Sequence, residues 1–267
     1  LGILCRHPDS QYLAVAGSPK NERGARGALW DLQQLAEPRA FEGHRIRIED
    51  MSLTLDGQTL ITAGADSTVR IWDVARRVET KVCRGHERSV TQIVASGDGQ
   101  RVVSGGVDGT LLSWDPAADA RSRVIRHQAW VFRVRFNADG QQIATAAKDG
   151  GVRVFDTSTG RLLQAFEGHA DQAEDVAFSP DGTRLYSSSN DATIRVWDLA
   201  GDAEPVVWTG HSGPIWTIAL SPDGRWLASA SHDGTVRLWE TESGECRNIW
   251  QRHKAEVHPV TSDAPRE

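Results

Sequence analysis

The chain has only three cysteines among its 267 residues, and they lie far apart at Cys5, Cys83 and Cys246. An odd number of cysteines at these spacings forms neither a disulfide framework nor a zinc-binding pattern. Such cysteine usage suits a reducing compartment. We therefore expect a cytoplasmic protein without a structural metal.

Long hydrophobic runs and an excess of basic charge are also missing. No apolar stretch approaches the ~20 residues that a membrane helix needs, and the first residues show no signal-peptide pattern. The formal net charge is −6, whereas a nucleic-acid surface needs a basic face. Glycine-rich phosphate loops are absent as well. We expect no membrane partner, no nucleic-acid partner and no cofactor.

What the chain does contain is a repeat. A histidine and a closing aromatic residue each recur with a spacing of 42 residues at every step but one, which is 41. The histidines are His44, His86, His127, His169, His211 and His253. The aromatic residues are Trp30, Trp72, Trp114, Phe155, Trp197 and Trp239. A fixed period of this size indicates a repeat architecture in which each unit packs on its neighbours.

Residues 169–208 illustrate one repeat. Four short apolar or β-branched runs are separated by polar turns, and the first turn contains Asp181-Gly182. An Asp-Gly pair between apolar runs is a strong signal for a β-hairpin. The same pair recurs as Asp56-Gly57, Asp98-Gly99, Asp139-Gly140 and Asp223-Gly224. No segment has a sustained helical period, so the pattern predicts an all-β chain of four-stranded antiparallel units.

These motifs resemble the WD-repeat family, from about Leu4 to about Val260. The resemblance implies a β-propeller of four-stranded blades, with six complete repeats and the start of another. The propeller is predicted to span residues 1–260, with repeats ending near residues 31, 73, 115, 156, 198 and 240. A partial unit is predicted at 253–260 and a polar tail at 261–267.

The family resemblance also implies a buried polar network of His, Ser or Thr, Asp and Trp in each blade. The four complete sets are His44, Thr62, Asp66 and Trp72; His86, Ser104, Asp108 and Trp114; His169, Ser187, Asp191 and Trp197; and His211, Ser229, Asp233 and Trp239. A fifth set, His127, Thr145 and Asp149, is followed by Phe155, which has no N–H donor. A hydroxyl that accepts from the indole N–H would satisfy both buried groups.

Catalytic and metal sites are the tempting alternatives. A His, a Ser and an Asp invite a hydrolase interpretation, but the trio recurs in several units and no nucleophile-elbow glycines surround the serines. The histidines outside the repeat position form no metal-ligand spacing. Two carboxylate pairs, Glu49-Asp50 and Glu174-Asp175, are expected to be exposed surface charge. We predict no catalytic residue and no metal ligand.

The positions that vary between repeats are the candidates for partner binding. In WD-repeat proteins, partners often contact three positions of each repeat. These are the third and fifth residues after the repeat His, and the residue before the network Asp (Asp66, Asp108, Asp149, Asp191 or Asp233). Carried over, these positions predict a partner-binding set of Arg47, Val107, Trp130, Phe132, Lys148, Trp216 and His232. Within it, Trp130, Phe132, Val107 and Lys148 are expected to form one apolar patch with a basic edge, and Trp216 and His232 a second cluster.

The leading hypothesis is a non-catalytic scaffold or sensor module that binds a protein or peptide on the rim of the propeller. In bacteria, similar arrays are often joined to signalling domains, and we expect this chain to be an excerpt of such a longer protein. Closure of the ring with six or with seven blades stays open. The alternatives are an enzyme or small-molecule binder that uses the central channel, and recognition of a modified peptide tail by an aromatic cage.

Overall fold

In the computed structural model of the chain, residues 3–6, 12–17, 26–31, 39–54, 56–116, 124–127, 129–201 and 203–251 are described. Every regular element in these ranges is a β-strand. The strands form six four-stranded antiparallel sheets, each in sequential order. The predicted fold class, an all-β propeller built from four-stranded blades, is therefore confirmed. The chain divides into two compact units, one running to Val131 and the other beginning at Phe132.

The first unit contains three of the sheets. The first sheet consists of β1 (Ile3–Arg6), β2 (Tyr12–Gly17), β3 (Arg26–Asp31) and β4 (Arg39–Glu42). The second consists of β5 (Ile48–Leu53), β6 (Thr59–Gly64), β7 (Thr68–Asp73) and β8 (Val78–Arg84). The third consists of β9 (Val90–Ala95), β10 (Val102–Gly106), β11 (Thr110–Trp114) and β12 (Val124–Arg126).

The second unit contains the other three sheets, apart from the first residue of β13. The fourth sheet consists of β13 (Val131–Phe136), β14 (Gln142–Ala147), β15 (Val152–Asp156) and β16 (Leu162–Phe166). The fifth consists of β17 (Ala173–Phe178), β18 (Arg184–Ser189), β19 (Ile194–Asp198) and β20 (Val206–Trp208). The sixth consists of β21 (Ile215–Leu220), β22 (Trp226–Ser231), β23 (Thr235–Glu240) and β24 (Cys246–Gln251).

The Asp-Gly turns join the first and second strands of five sheets, as the sequence predicts. Their glycines, at positions 57, 99, 140, 182 and 224, all have φ between 65° and 70°. Only glycine adopts this left-handed conformation without steric cost. In the turn of the fifth sheet, Asp181 accepts hydrogen bonds from the backbone N–H of Thr183 (3.0 Å) and the hydroxyl of Ser179 (2.5 Å). The turn chemistry thus sets the register of the hairpin.

Apolar cores lie between neighbouring sheets within each unit. One cluster joins β6 and β7 to β9, β10 and β11, with Ile61, Val69 and Ile93 fully or almost fully buried. In the second unit, another cluster joins the fifth and sixth sheets through residues such as Tyr186 and Ile215. The middle strands are buried on both faces, whereas the outer strands β16 and β24 are largely exposed. Each blade therefore depends on its neighbour for its core.

Two predictions concern residues outside the described ranges: the partial unit at 253–260 and the tail at 261–267. The third strands of the six sheets end at Asp31, Asp73, Trp114, Asp156, Asp198 and Glu240.

Candidate functional site

In four sheets, one edge is built by two segments together: the loop with the repeat His, and the turn with the network Asp (Asp66, Asp108, Asp191 or Asp233), here called the turn Asp. A backbone hydrogen bond joins them in four sheets: the residue before the turn Asp donates to the third residue after the repeat His. The pairs are Ala65 with Arg47 (2.9 Å), Val107 with Ser89 (2.9 Å), Asn190 with Gln172 (3.0 Å) and His232 with Pro214 (2.8 Å). Two of the three variable positions are therefore neighbours in every one of these sheets. We call this edge the loop edge.

A β-bulge presents the remaining variable position. In four sheets the first strand contains one residue more than its partner at this point, and that residue is always the fifth after the repeat His. The four bulge residues are Glu49, Thr91, Glu174 and Trp216. A bulge residue is not paired with the neighbouring strand, so its side chain need not follow the regular alternation. The bulge explains physically why this position can vary from repeat to repeat.

The loop edge is locked by a hydrogen-bonded network behind it. In four sheets the Trp Nε1 lies 2.8–3.0 Å from a hydroxyl oxygen, and the His Nε2 lies 2.7–2.8 Å from the same oxygen. The His Nδ1 lies 2.8–3.1 Å from the turn Asp. The residues that the structure brings together are the four complete sets named from the sequence: Thr62, Ser104, Ser187 and Ser229 each with its His, Asp and Trp.

The turn Asp also holds the loop itself. Its carboxylate accepts the backbone N–H of the residue after the repeat His, at 2.8–3.0 Å, from Arg45, Glu87, Ala170 and Ser212. A threonine two residues after the Asp donates its hydroxyl to the same carboxylate at 2.6–2.7 Å, from Thr68, Thr110, Thr193 and Thr235. Sequence reasoning missed these threonines, although the Asp-x-Thr spacing recurs visibly in the chain.

The glycine directly before the repeat His, such as Gly43 or Gly210, lies where the backbone passes close to other side chains. In the sixth sheet Gly210 has φ of 149°, and a Cβ there would lie 2.7 Å from Nη1 of Arg237 and 3.3 Å from the Trp239 ring. Gly43 is equally crowded by Arg70 and Trp72. The crowding atoms of Arg237 and Arg70 lie at the far ends of flexible side chains, so a larger residue would displace the arginine. The positive φ of Gly210 is the stronger reason for a glycine there.

Burial sets the charge state of the network. It lowers the pKa values of His44, His86 and His211, because desolvation outweighs the attraction of their Asp partners. The pKa values of Asp66 and Asp233 are also lowered, since hydrogen bonds from His, Thr and the backbone overcome desolvation. A neutral imidazole that donates to a carboxylate and accepts from a hydroxyl fits these directions. The hydroxyls are buried beneath the indole, so they cannot reach a substrate as nucleophiles.

The fourth sheet differs from these four in having Phe155 in place of the tryptophan. Thr145 is buried and donates to the carbonyl of Arg153 at 3.3 Å. Asp149 accepts two hydrogen bonds from the Arg153 guanidinium, at 3.2 and 2.7 Å. His127 is buried in the other unit, and Phe155 is buried in the core of its own. The network predicted for His127, Thr145 and Asp149 stays a prediction.

In the first unit, a chain of contacts follows the loop edges from the second to the third sheet and to Trp130. Arg47 donates its Nε–H to Glu49 (2.7 Å), and Ser89 donates its hydroxyl to the same carboxylate (3.3 Å). The guanidinium of Arg88, the residue before Ser89, lies 5.6 Å from the centre of the Trp130 ring. Trp130 is 37% exposed. The predicted residues Arg47, Val107 and Trp130 thus lie along one strip of the first unit.

In the second unit, the ring of Trp216 contacts the ring of His232 edge to face, with centroids 5.3 Å apart. The structure therefore brings together the two residues of the second predicted cluster. Phe132 is half-buried and Lys148 is exposed. Among the other tryptophans outside the repeat position, Trp208 is buried against Tyr186 and Trp239 and belongs to the core.

The expectation that the carboxylate pairs are exposed surface charge was wrong. Glu49, Asp50 and Glu174 are half-buried, and Asp175 is buried. Its side chain is 0% exposed and forms an ion pair with Arg133 at 3.0 Å. It also accepts from the hydroxyl of Thr217 (2.8 Å) and the backbone N–H of Ile218 (3.2 Å). These contacts tie the fourth, fifth and sixth sheets together. The bulge turns this carboxylate into the molecule, which simple strand alternation does not foresee.

Asp175 belongs to a row of polar residues at the sixth position after the repeat His. In the first unit, Asp50 accepts from the side chain of Gln92 and from the backbone N–H of Ile93 (2.9 Å). In the second unit the row is Arg133, Asp175 and Thr217. Sequence reasoning missed this row. The signal was a polar residue at one fixed position of the first strand in five repeats.

Glu174 has an unusual environment for a carboxylate near the loop edge. Partial burial raises its pKa to about 7, against the opposing effects of Arg133 and a hydrogen bond from Asn190. Asp175 and Asp171 act in the same direction as burial. The folded chain therefore holds this proton between pH 4.5 and about 7, whereas the unfolded chain has released it. Stability must fall as pH rises through that window.

Glu174→Gln is accordingly expected to stabilise the protein above neutral pH. At about pH 8 we expect the free energy of unfolding to rise by about 1–2 kcal/mol. Converting the whole pKa shift at ~1.4 kcal/mol per unit would give more, but water still screens the group. At about pH 5 the gain should nearly vanish, since the native carboxyl is protonated there. Urea unfolding at both pH values measures it. Glu242→Gln, at an exposed site, is the matched control, and an equal gain at both pH values would contradict the prediction.

The described ranges contain no cluster of three or more His, Cys, Asp or Glu side chains that could hold a metal ion. In the same ranges, no helix has the length and hydrophobicity to cross a membrane.

Four-stranded sheets that repeat one buried His–hydroxyl–Trp network define a propeller-type repeat protein. The model of the WD40 family (WD domain, G-beta repeat) matches residues 36–73, 77–115, 121–156, 160–198 and 204–240. These matches cover more than half of the chain, and the chain belongs to the WD-repeat family. The predicted family is thus confirmed, with β1, β2, β3 and β24 outside the matched residues. A search of curated proteins gave no match.

Proposed function

We propose that this chain is a non-catalytic docking module that binds a protein or peptide partner along its loop edges. WD repeats generally mediate protein–protein interaction, which supports a scaffold role. The observation that carries the proposal is the pairing of variable positions on a locked scaffold. A backbone hydrogen bond and a bulge hold them side by side in the same four sheets.

The chemistry of these positions supports binding better than catalysis. They include Arg47, Trp130 and Trp216, and arginine and tryptophan are among the residue types that contribute most to protein interfaces. The repeated His, Ser and Asp lie behind them in buried networks and hold the loops in place. A pre-ordered surface binds with less loss of conformational entropy, because its side chains and loops are already fixed.

Alanine substitution of the loop-edge tryptophans tests the proposal. Trp130→Ala and Trp216→Ala should each weaken partner binding by about 30-fold or more, which corresponds to the ~2 kcal/mol of an interface anchor. A partner is first captured from cell extract by cross-linking to the intact chain, and its Kd is then measured with each variant. Trp250→Ala is the matched control, since Trp250 is exposed on the outer strand β24.

Thermal unfolding shows whether each variant is folded. If both loop-edge variants are folded and bind the partner as the unchanged chain does, the proposed surface is wrong. If Trp250→Ala alone loses binding, the partner docks on an outer strand and the loop edges have no binding role.

A further inference from the structure

The strip of the first unit carries exposed positive and apolar groups next to each other. We define the basic strip as Arg45, Ile46, Arg47, Arg88 and Trp130. All five side chains are exposed, including Ile46 at 53% and Trp130 at 37%. They belong to loop edges connected by the Arg47–Glu49–Ser89 contacts. Exposed large apolar side chains beside arginines are typical of interfaces.

The charge of the basic strip differs from that of the chain as a whole. The chain carries a net charge of −6, yet the strip contains three exposed arginines. Its neighbouring acids are mostly buried or half-buried, so they expose little of their charge. Glu49 is half-buried and accepts from Arg47 and Ser89. The carboxylates of Asp66 and Asp108 are buried and bonded to His, Thr and backbone donors. Glu87 is exposed, so the exposed charged side chains among residues 45–49 and 87–89 are three arginines and one glutamate.

The arginines are held in place by contacts that leave them accessible. Arg47 uses its Nε–H for Glu49, and its side chain is 67% exposed. Arg88 lies over the Trp130 ring, where the cation–π attraction orders both side chains. An ordered guanidinium presents its donors in a planar fork that matches a carboxylate. The basic strip therefore offers paired carboxylate sites beside two apolar side chains.

We propose that the basic strip binds an acidic peptide segment that also carries an apolar side chain. The inference rests on the proposed docking function and specifies the partner's chemistry. Carboxylates of the segment pair with Arg47 and Arg88, while its apolar residue packs on Trp130 and Ile46. Charge complementarity of this kind steers association and selects the partner, so a basic segment is disfavoured at the same place.

The test is selection of a random 12-residue peptide display library on the full chain. Peptides enriched on the unchanged chain should contain about twice the Asp and Glu content of the starting library, together with a Leu, Phe or Trp. A synthetic copy of one enriched peptide should bind Arg47→Glu and Arg88→Glu on the order of tenfold more weakly. Its affinity should also fall as salt is raised.

Arg76→Glu is the matched control. Arg76 is exposed in the turn between β7 and β8, at the far end of β7 from the Asp66 turn, and the substitution changes the charge equally. This variant should change the Kd less than about twofold. Circular dichroism and thermal unfolding check that all three variants are folded. Arg88→Lys, which keeps the charge and loses the planar fork, should be intermediate.

The outcomes separate the inference from the proposed function. Enriched peptides that are basic or uncharged, or acidic peptides that bind the Glu variants unchanged, would overturn the acidic-partner proposal. A pool without any enrichment would overturn it too. If the enriched peptides are not acidic but still require Trp130, the docking function stands and only the assigned chemistry is wrong.

Discussion

Replacing Asp175 by Asn is expected to lower the free energy of unfolding by about 3–5 kcal/mol, the usual cost of breaking a buried ion pair. Asn keeps the shape of the side chain but removes the charge that balances Arg133, 3.0 Å away. The guanidinium would then remain in a largely dry site without its counter-charge. Urea unfolding of the chain, followed by circular dichroism, measures the loss.

A double-mutant cycle makes this prediction specific. Arg133→Met together with Asp175→Asn removes both charges, so the double variant should be more stable than Asp175→Asn alone. Asp198→Asn is the control, because Asp198 is exposed and accepts from the backbone of Ala200. Its effect should stay within about 0.5 kcal/mol. If the double variant is less stable than Asp175→Asn alone, the ion pair is not the source of the loss.

Replacing Ser229 by Ala should cost about 2–4 kcal/mol of folding stability. The Ser229 oxygen lies 2.8 Å from Nε1 of Trp239 and 2.7 Å from Nε2 of His211. Its removal leaves two buried polar groups without a partner, at about 1–3 kcal/mol each. The loss should appear as a lower unfolding midpoint in urea. Ser243→Ala is the matched control, since that hydroxyl is exposed and donates to Glu240.

One sheet, the fourth, lacks the network tryptophan. This natural exception suggests a further variant for the experiment. Phe155 stands where the other repeats have Trp, so Trp239→Phe imitates it and removes the indole donor. In the Ser229→Ala background, Trp239→Phe should cost less than it does in the unchanged chain, because the orphaned donor is removed with it. Strictly additive losses would show that the indole–hydroxyl bond contributes little.

The local elements were predictable from particular residues. The Asp-Gly turns and the β-branched runs between them define the hairpins, because glycine tolerates the positive φ that these turns need. The networks were predictable as well, since the repeat places a His, a hydroxyl, an Asp and a Trp at constant spacings, and those buried polar groups must be paired. The WD-repeat family followed from the same spacings.

The row of Asp50, Gln92, Arg133, Asp175 and Thr217, whose members are buried or half-buried, could not be predicted in the same way. Strand alternation assigns neighbouring residues to opposite faces, which argued against a catalytic dyad at Glu174-Asp175. The expectation of exposed charge rested on the charge of the two residues alone. The bulge at Glu174 breaks the alternation and turns Asp175 inward. Bulges are produced by hydrogen-bond pairing with the second strand, which is not encoded in the alternation of one strand. The raised pKa of Glu174 likewise depends on its tertiary surroundings.

The sequence by itself determined the blade, its turns and the network that closes it, because these depend on residues at short, constant spacings within one repeat. Only the tertiary structure decided which charged side chains are buried, which aromatic rings meet and where arginines gather beside exposed apolar groups. Trp208 became core while Trp130 remained at the surface, since burial is set by the neighbouring sheet. Contacts between repeats depend on packing, and packing has no period in the sequence.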